Sequence, residues 1–310
     1  MTRRSEIYHI FHQETILRCR SGYITTTQIL PSPIEYSPVN YLLLSPQPLS
    51  NNPRVVGGLA ATHRWPWQVL LIDQENGRPF CGGVLIGTQH VLTAAHCFDD
   101  HVWVNVDVVL GEYDRSIHEG TEQIYNIDCL TIHDGYENQV PYHNDIAIIT
   151  LDLSDTNDGN TINITENVLP ICLPSKGEFT TNSMCYVTGW GYTGFENMFA
   201  RNLPTKLQEA EVPLINSQNC QTAYGTQLTR RMQCAGFLEG VHRADTCKGD
   251  SGGPLVCQDE SGNFKLWGIT SWGDNYFCTV MPSGPAPGVY TRVDRYLKWI
   301  KDKIDRGTCS

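Results

Sequence analysis

The sequence predicts an all-β fold, either a barrel or a sandwich, and two observations support this. From Val55 onward, short runs rich in Val, Ile, Leu and Trp alternate with clusters of Gly, Asn and Asp, which is typical of strands separated by turns. Examples are "WQVLLI", "VWVNVDVVL", "DIAIITL" and "LWGITSW". Helical periodicity is seen at the very end, where "DRYLKWIKDKI" predicts one packing helix over residues 294–304, capped by Asp294.

The first 54 residues differ in composition from the rest. Residues 21–54 are rich in Pro, Ser and Thr and show no sustained period, so we expect residues 1–54 to form a largely extended leader before a folded region at 55–310. The basic N-terminus has no continuous apolar core of a signal peptide. No apolar run reaches the roughly 18 residues that a transmembrane helix needs.

Charge and cysteine content narrow the class of protein. A formal net charge of −11 disfavours nucleic acid and anionic membranes as partners, because both would repel the chain. Twelve cysteines, without a C-x-x-C pair or a histidine cluster at zinc-ligand spacing, favour disulfides over metal sites or free thiols. The sequon at Asn163 is a candidate glycosylation site. We therefore expect a secreted protein.

Three polar residues stand at strand edges in the order His, Asp, Ser. They are His96 in "LTAAHC", Asp145 at the head of "DIAIITL", and Ser251 in "GDSGGP". Each alone is a weak signal, since a lone histidine is more often structural and "GDSGGP" could be a surface turn. Together they favour nucleophilic catalysis, because a serine hydroxyl is a weak nucleophile until a base removes its proton.

Over about residues 54–304 the sequence resembles the chymotrypsin-like (trypsin-type) serine proteases. The resemblance rests on "RVVGG", "WPWQV", "CGGVLI", "LTAAHC", "NDIAI", "PICLP", "GWG", "GDSGGPLVC", "SWG" and "PGVYTRV". It implies two six-stranded antiparallel β-barrels, at about 55–165 and 170–293, with the active site in the cleft between them. It also implies a secreted, monomeric serine endopeptidase that needs no cofactor for catalysis.

The resemblance assigns catalytic roles to matching residues. Ser251 would be the nucleophile and His96 the general base, while Asp145 would hold the imidazole in the right tautomer. The backbone N–H groups of Gly249 and Ser251 would form the oxyanion hole.

The resemblance also implies a zymogen. In the family, the aspartate before the nucleophile pairs with a new N-terminal ammonium that cleavage of the leader creates. Here the aspartate is Asp250, and "PRVVGG" offers a cut by an activating protease between Arg54 and Val55.

Five residues match positions of the family's substrate pocket. Asp245 would form the pocket floor, and Gly273 and Gly288 would keep the pocket open to long side chains. Trp272 and Tyr142 would be walls of neighbouring subsites, or else ordinary packing aromatics. These matches imply protein or peptide substrates with Arg or Lys at the cleaved bond, and protein inhibitors as further partners.

Two alternatives stay open. One is a catalytically silent homologue that acts as a binding or regulatory module. The other keeps the chemistry but changes the substrate, because residues 279–287, "TVMPSGPAP", are longer than the corresponding stretch in relatives and border the pocket.

An acidic loop at 111–123 is a candidate structural calcium site. Relatives that bind calcium use two glutamates at this spacing, which implies the side chains of Glu112 and Glu122, the carbonyls of Asp114 and Ile117, and assistance from Glu119. The alternative is a solvated acidic loop without an ion.

Disulfide pairings also follow from the resemblance. It implies four bridges within the folded region and one to the leader, which would keep the leader attached after cleavage. Cys129 and Cys309 then remain and are expected to pair. The implied bridges are Cys81–Cys97, Cys185–Cys257, Cys220–Cys234, Cys247–Cys278 and Cys19–Cys172.

Overall fold

The structure, a computed structural model, describes the backbone of a short strand pair near the N-terminus and most of the chain after it. The pair is β1 (Cys19–Arg20) and β2 (Tyr23–Ile24). The remaining described residues are 59–156, 161–193, 202–237, 246–273 and 287–307.

A first antiparallel sheet contains seven strands from the N-terminal half of this region. They are β4 (Gln68–Asp73), β5 (Arg78–Leu85), β6 (His90–Thr93), β7 (Val106–Leu110), β8 (Gln123–Tyr125), β9 (Ile127–Ile132) and β10 (Ala147–Leu151). Their order is β8-β7-β4-β5-β6-β10-β9. The two edge strands, β8 and β9, are separated along the chain by Asn126 alone, so one bent strand joins both edges and the sheet closes on itself.

A second antiparallel sheet also contains seven strands. They are β3 (Leu59–Ala60), β11 (Met184–Gly189), β12 (Gln208–Pro213), β13 (Met232–Ala235), β14 (Pro254–Gln258), β15 (Phe264–Trp272) and β16 (Gly288–Arg292), in the order β13-β16-β15-β14-β11-β12-β3. Beyond β12, Leu214 bridges to Ala235 at the end of β13, and the Ile215 N–H donates to the Cys234 carbonyl at 2.9 Å. The edges of this sheet therefore meet as well.

The predicted all-β fold with a C-terminal helix is confirmed. Each sheet has seven strands instead of six for a local reason. In the first, the long strand is broken at Asn126, and in the second, the two-residue strand β3 is added outside β12. Without these two features each sheet contains the six strands that the resemblance implies.

Two α-helices lie among the described residues, α1 (Ser217–Tyr224) and α2 (Leu297–Arg306). Helix α1 was not predicted from the sequence. Asn216 caps it by accepting a hydrogen bond from the Asn219 N–H at 2.7 Å. None of the helices in the described segments is both long and apolar enough to cross a membrane. Short 3-10 helices cover Ala95–Phe98, Trp103–Asn105, Gly225–Gln227 and Val293–Arg295.

The predicted start of the C-terminal helix was wrong. Asp294 lies in a 3-10 turn ahead of α2 and does not cap that helix. Its buried carboxylate instead pairs with the Arg292 guanidinium at 2.8 Å and accepts a hydrogen bond from the Gly177 N–H at 3.1 Å. An aspartate that already has a cationic partner gains little from capping a helix, so α2 begins at Leu297.

Hydrogen bonds connect the two barrels at the position of the predicted site. The Gly82 N–H of β5 donates to the Ser251 carbonyl at 2.7 Å, and the Thr291 hydroxyl of β16 donates to the Asp145 carbonyl at 2.8 Å. Inside the first barrel, Leu71 and Ile149 are fully buried. Burial of such a side chain contributes about 1.5–3 kcal/mol, so the core holds the strand ends at this junction in place.

Candidate active site

The pairing of two strands brings His96 and Asp145 together. Thr93 at the end of β6 pairs with Ala147 at the start of β10. The residues just beyond these strand ends are therefore neighbours. The His96 Nδ1 atom lies 2.8 Å from Asp145 Oδ2, and the His96 backbone N–H donates to Asp145 Oδ1 at 2.9 Å. Oδ2 thus orients the imidazole, and Oδ1 holds the backbone of the same residue.

The Asp145 carboxylate is fully buried and has a further partner from the second barrel. The Ser271 hydroxyl donates to Asp145 Oδ2 at 2.5 Å. A buried carboxylate needs such donors, because an unpaired charge is costly in the interior. Ser271 was not predicted from the sequence, although it lies in the "SWG" motif whose glycine matches a pocket position. Its polar side chain at the end of a buried strand was the available signal.

This carboxylate determines the protonation of His96. Burial alone would lower the pKa of His96, but the charge of Asp145 and its hydrogen bond outweigh burial and raise the pKa above the ordinary value of 6.5. The imidazole is therefore a stronger base than a free histidine, which suits a group that must accept a proton.

Ser251 lies in a tight loop that packs against the His96 side of the cleft. The loop is anchored by the bond from Gly82 to the Ser251 carbonyl, and the Ser251 side chain is half-buried. Gly252 has a φ of +77°, and a Cβ there would collide with the Thr93 hydroxyl and the Gly82 carbonyl. Glycine at this position lets the loop approach the strand end that leads to His96.

The backbone around Ser251 offers two donors. Gly249 has a φ of +101°, and a Cβ there would lie 3.0 Å from the Gly191 Cα atom. Within the described part of the chain, the N–H groups of Gly249 and Ser251 donate to no other protein group. Two adjacent unpaired donors beside a hydroxyl are the arrangement that an oxyanion needs.

Asp250 points away from the cleft into the second barrel. Its carboxylate is buried and accepts hydrogen bonds from the Gly191 N–H at 2.8 Å and the Cys247 N–H at 2.9 Å. Burial raises its pKa to about 6, against the lowering effect of these two bonds. A Cβ at Gly189 or Gly191 would collide with this carboxylate. Arg54 and Val55 lie outside the described residues.

The raised pKa of Asp250 predicts a pH dependence of stability for the uncleaved chain. Because the folded-state pKa of about 6 exceeds the ordinary 3.8, this group stabilises the fold fully below the lower value, and the contribution is lost as pH rises through the higher one. The loss is about 3 kcal/mol. Asp250→Asn should remove it, so the difference in unfolding free energy between variant and parent, from urea titrations, should change between pH 4 and pH 7.

The matched control is Asp128→Asn, which changes an exposed aspartate on β9. This control measures how much of the pH dependence comes from replacing any aspartate by asparagine. A difference for Asp250→Asn that did not change between pH 4 and pH 7 would contradict the prediction.

Four of the five predicted substrate-contacting residues lie in described segments and come close together. The Tyr142 ring stacks on Trp272 with centroids 6.1 Å apart and meets the His96 ring edge-on at 5.5 Å. A Cβ at Gly273 would lie 3.8 Å from the Gly288 Cα atom, so these glycines face each other. Asp245 and residues 279–286 lie outside the described part of the chain.

The acidic loop brings three carboxylates together. Oxygen atoms of Glu112, Glu119 and Glu122 lie within 4.8 Å of one another. Burial raises the pKa of Glu112, and the charges of the other two glutamates add to this. Glu122 Oε2 is buried without a hydrogen-bond partner in the described segments, although the largely exposed His118 ring lies 3.2 Å away in a geometry that makes no hydrogen bond. Repelling carboxylates with an unpaired buried oxygen fit a cation.

Other groups of the loop have protein partners as well. The Asp114 carbonyl accepts a hydrogen bond from the Ile117 N–H at 3.0 Å, and the Asp114 carboxylate accepts one from the Ser116 hydroxyl. A carbonyl oxygen has a second lone pair, so this carbonyl can still bind a cation. Glu119 forms an ion pair with Arg64 at 2.7 Å.

Three of the implied disulfides form within the described residues: Cys81–Cys97, Cys185–Cys257 and Cys220–Cys234. Three further cysteines, Cys129, Cys172 and Cys247, are also disulfide-bonded. Their expected partners fall outside the region whose side chains the structure describes: Cys309, Cys19 and Cys278. The predicted glycosylation site, Asn163, is exposed.

The fold and the site indicate a serine protease, and comparison with protein families gives the same class. The Trypsin family model matches residues 54–300, and the chain belongs to the trypsin family of serine proteases. It is 38% identical over 255 residues to coagulation factor XI of Bos taurus, covering 81% of this chain and 38% of that protein.

Two other curated relatives share one description, atrial natriuretic peptide-converting enzyme. The protein from Mus musculus is 38% identical over 260 residues, covering 82% of this chain and 21% of the relative. The protein from Homo sapiens is 36% identical over 260 residues, with 82% and 23% coverage. The chain therefore spans less than half the length of the curated relatives it matches.

Proposed function

We propose that the chain is a serine endopeptidase that hydrolyses peptide bonds after Arg or Lys through an acyl-enzyme. The observation that carries the proposal is the fixed imidazole of His96, held by the buried Asp145 carboxylate next to the loop of Ser251. In family members, these three residue types in this geometry perform acyl transfer.

The proposed mechanism assigns one role to each of these residues. The Ser251 hydroxyl attacks the substrate carbonyl carbon while His96 Nε2 takes the hydroxyl proton, since Nδ1 is engaged with Asp145. The N–H groups of Gly249 and Ser251 stabilise the oxyanion that develops. The histidine then protonates the leaving amine, which breaks the peptide bond and leaves an ester on Ser251. Water attacks this ester with His96 again as the base, and the free serine returns.

Specificity for basic side chains rests on the pocket residues. Asp245 supplies the carboxylate that pairs with Arg or Lys, and Gly273 and Gly288 leave the space for a long side chain. Tyr142 and Trp272 form an aromatic surface next to His96, on which the preceding substrate residue packs.

Activation follows cleavage after Arg54. The new ammonium of Val55 pairs with Asp250, which is otherwise a buried carboxylate without a cationic partner in the described segments. We also propose export from the cell, because disulfide bonds are stable in oxidising compartments and the exposed Asn163 fits a glycosylated loop. Protein substrates, an activating protease and protein inhibitors are the partners, and the chain acts as a monomer.

The enzyme should be assayed with fluorogenic peptides that end in Arg, Lys, Phe or Ala, before and after cleavage at Arg54. The proposal expects hydrolysis of the Arg and Lys peptides only, appearing on cleavage. Hydrolysis of other peptides would favour a pocket reshaped by residues 279–287. No hydrolysis of any peptide would favour the silent homologue and overturn the proposed function.

A structural calcium ion is the proposed occupant of the acidic loop, with the side chains of Glu112 and Glu122 and the carbonyls of Asp114 and Ile117 as ligands and Glu119 assisting. Calcium supplies positive charge that neutralises the converging carboxylates, and it takes no part in catalysis.

Saturating calcium should raise the melting temperature above that in EDTA. Binding at 100 times Kd contributes about 2.7 kcal/mol, which corresponds to about 5–10 °C for a domain of this size. Glu122→Gln should abolish the shift, and Glu75→Gln, an exposed glutamate outside the loop, should not. Equal melting temperatures in calcium and EDTA would exclude the ion.

A further inference from the structure

An open cavity of about 400 Å³ lies behind the segment that carries Asp145, away from the loop of Ser251. Two segments that are distant in sequence line the cavity. One runs from the residue after β9 to residue 144, and the other is the turn before β13. The residues with polar side chains that matter here are His133, Asn138, His143, Thr229, Arg230 and Arg231. None of the residues that line the cavity carries a carboxylate.

The absence of acids from this lining is unusual for so acidic a chain. The formal net charge is −11, yet two arginines and two histidines face one space. Among the described residues, neither Arg230 nor Arg231 forms an ion pair. The Arg231 guanidinium lies over the Tyr296 ring, 5.0 Å from its centroid, which positions the cation without neutralising it.

Donors other than the arginines also face the cavity. The Gly135 N–H donates to His133 Nδ1 at 3.1 Å, so the neutral His133 ring carries its proton on Nε2 and remains a donor. Asn138 Oδ1 accepts a hydrogen bond from His143 Nδ1 at 2.8 Å, so this buried ring is held in place but its neutral form offers no N–H to the cavity. Fixed donors around uncompensated positive charge are the chemistry that recognises an oxyanion.

We propose that this cavity is a binding site for a sulfate or phosphate group carried on a small molecule. Arg230 and Arg231 contact the anion, and His133 and Thr229 donate further hydrogen bonds. The volume is within the range of small-molecule sites and exceeds what a bare ion fills. A phosphorylated or sulfated sugar-sized compound therefore fits better than the inorganic ion.

The cavity shares a wall with the catalytic machinery. Asn144, which lines the cavity, directly precedes Asp145 and has a φ of +56°. Its side chain accepts a hydrogen bond from the Tyr296 hydroxyl at 3.0 Å and donates to the Gly135 carbonyl at 2.6 Å. An occupant of the cavity thus contacts the residue that fixes the backbone beside the Asp145 carboxylate.

Histidine titration supplies an independent readout. Burial lowers the pKa of both His133 and His143, and the Arg231 charge lowers both further. The other charged groups that face His133 are Asp134 and Lys303, which pair with each other at 3.5 Å. A bound anion adds negative charge between the rings, so it should raise both pKa values in an NMR titration.

The test uses the full chain with Ser251→Ala, so that binding is measured without proteolysis and independently of the proposed peptidase activity. Calorimetric titration at constant ionic strength compares glucose 6-phosphate, inorganic phosphate and glucose. We expect saturable binding of glucose 6-phosphate and none of glucose. Equal affinity for inorganic phosphate would contradict the small-molecule part of the proposal, because the free ion would then suffice.

Variants separate this site from general charge effects. Arg230→Gln with Arg231→Gln should weaken binding at least about tenfold, because hydrogen bonds from charged groups to the anion are lost. Replacing Arg231 also removes its packing on Tyr296. Arg230→Gln alone, at an exposed position, avoids this change and should also weaken binding. Arg78→Gln, on an exposed part of β5, should bind like the parent. Absence of saturable phosphate binding, or unchanged affinity in the arginine variants, would overturn the proposal.

Discussion

Ser251→Ala should reduce kcat for an Arg-containing peptide by about a million-fold relative to the cleaved parent enzyme. The substitution removes the oxygen that forms the acyl bond and leaves the oxyanion donors and the imidazole in place. Substrate should still bind, because the pocket and the aromatic surface are unchanged. Steady-state rates, with peptide affinity measured separately by fluorescence anisotropy, would separate loss of chemistry from loss of binding.

A matched serine controls for general effects of the change. Ser261 is exposed in the turn between β14 and β15, and Ser261→Ala should leave both kcat and stability near the parent values. A Ser251→Ala enzyme that retained more than a few per cent of the parent rate, after exclusion of contaminating protease, would show that another group is the nucleophile.

Asp145→Asn should reduce kcat by about ten-thousand-fold near neutral pH. The amide can present its N–H₂ group to His96 Nδ1, which would leave the proton on Nε2 and the imidazole in the wrong tautomer to accept the Ser251 proton. The Ser271 hydroxyl, which donates to Asp145 Oδ2 at 2.5 Å, can rotate and accept a hydrogen bond from the same amide, so the variant should still fold. Rates measured over a range of pH should show the loss of activity.

The pH profile gives the second measure of this variant. The Asp145 carboxylate raises the pKa of His96, so in the parent the rate increases with pH through a value above 6.5. In Asp145→Asn this rise should move to lower pH, because the charge that stabilised the imidazolium is gone. An unchanged acid limb would mean that the limb belongs to another group. Asp128→Asn should leave both the rate and the profile unchanged.

The sequence predicted those parts of the fold and site that are encoded locally. Strand runs and turn clusters identify the all-β class, and His96 and Asp145 are each marked by a short motif at the end of one strand. Ser271 was missed because its role depends on a partner 126 positions away, across the junction of the two barrels. Only the packing of β15 against the first barrel places that hydroxyl on the carboxylate.

Other differences arise from competition between local signals. Aspartate often caps helices, which is why Asp294 was predicted to cap the C-terminal helix. Its carboxylate pairs with the guanidinium of Arg292 instead, and the helix begins at Leu297. The helix α1 has a weak apolar face, so its pattern did not distinguish it from a polar loop. The cavity at Arg230 and Arg231 combines segments about 90 positions apart, so no local sequence pattern predicts it.

The short strand β3 restricts how the proposed activation can proceed. Pairing of Leu59 with Glu209 fixes the chain four residues after Val55. Four residues span at most about 14 Å when fully extended, so a terminus released at Val55 stays tethered within that radius. Its local concentration near the second barrel is then on the order of millimolar or higher, whatever the concentration of the enzyme. Insertion of the new terminus should therefore be a first-order event whose rate is insensitive to dilution.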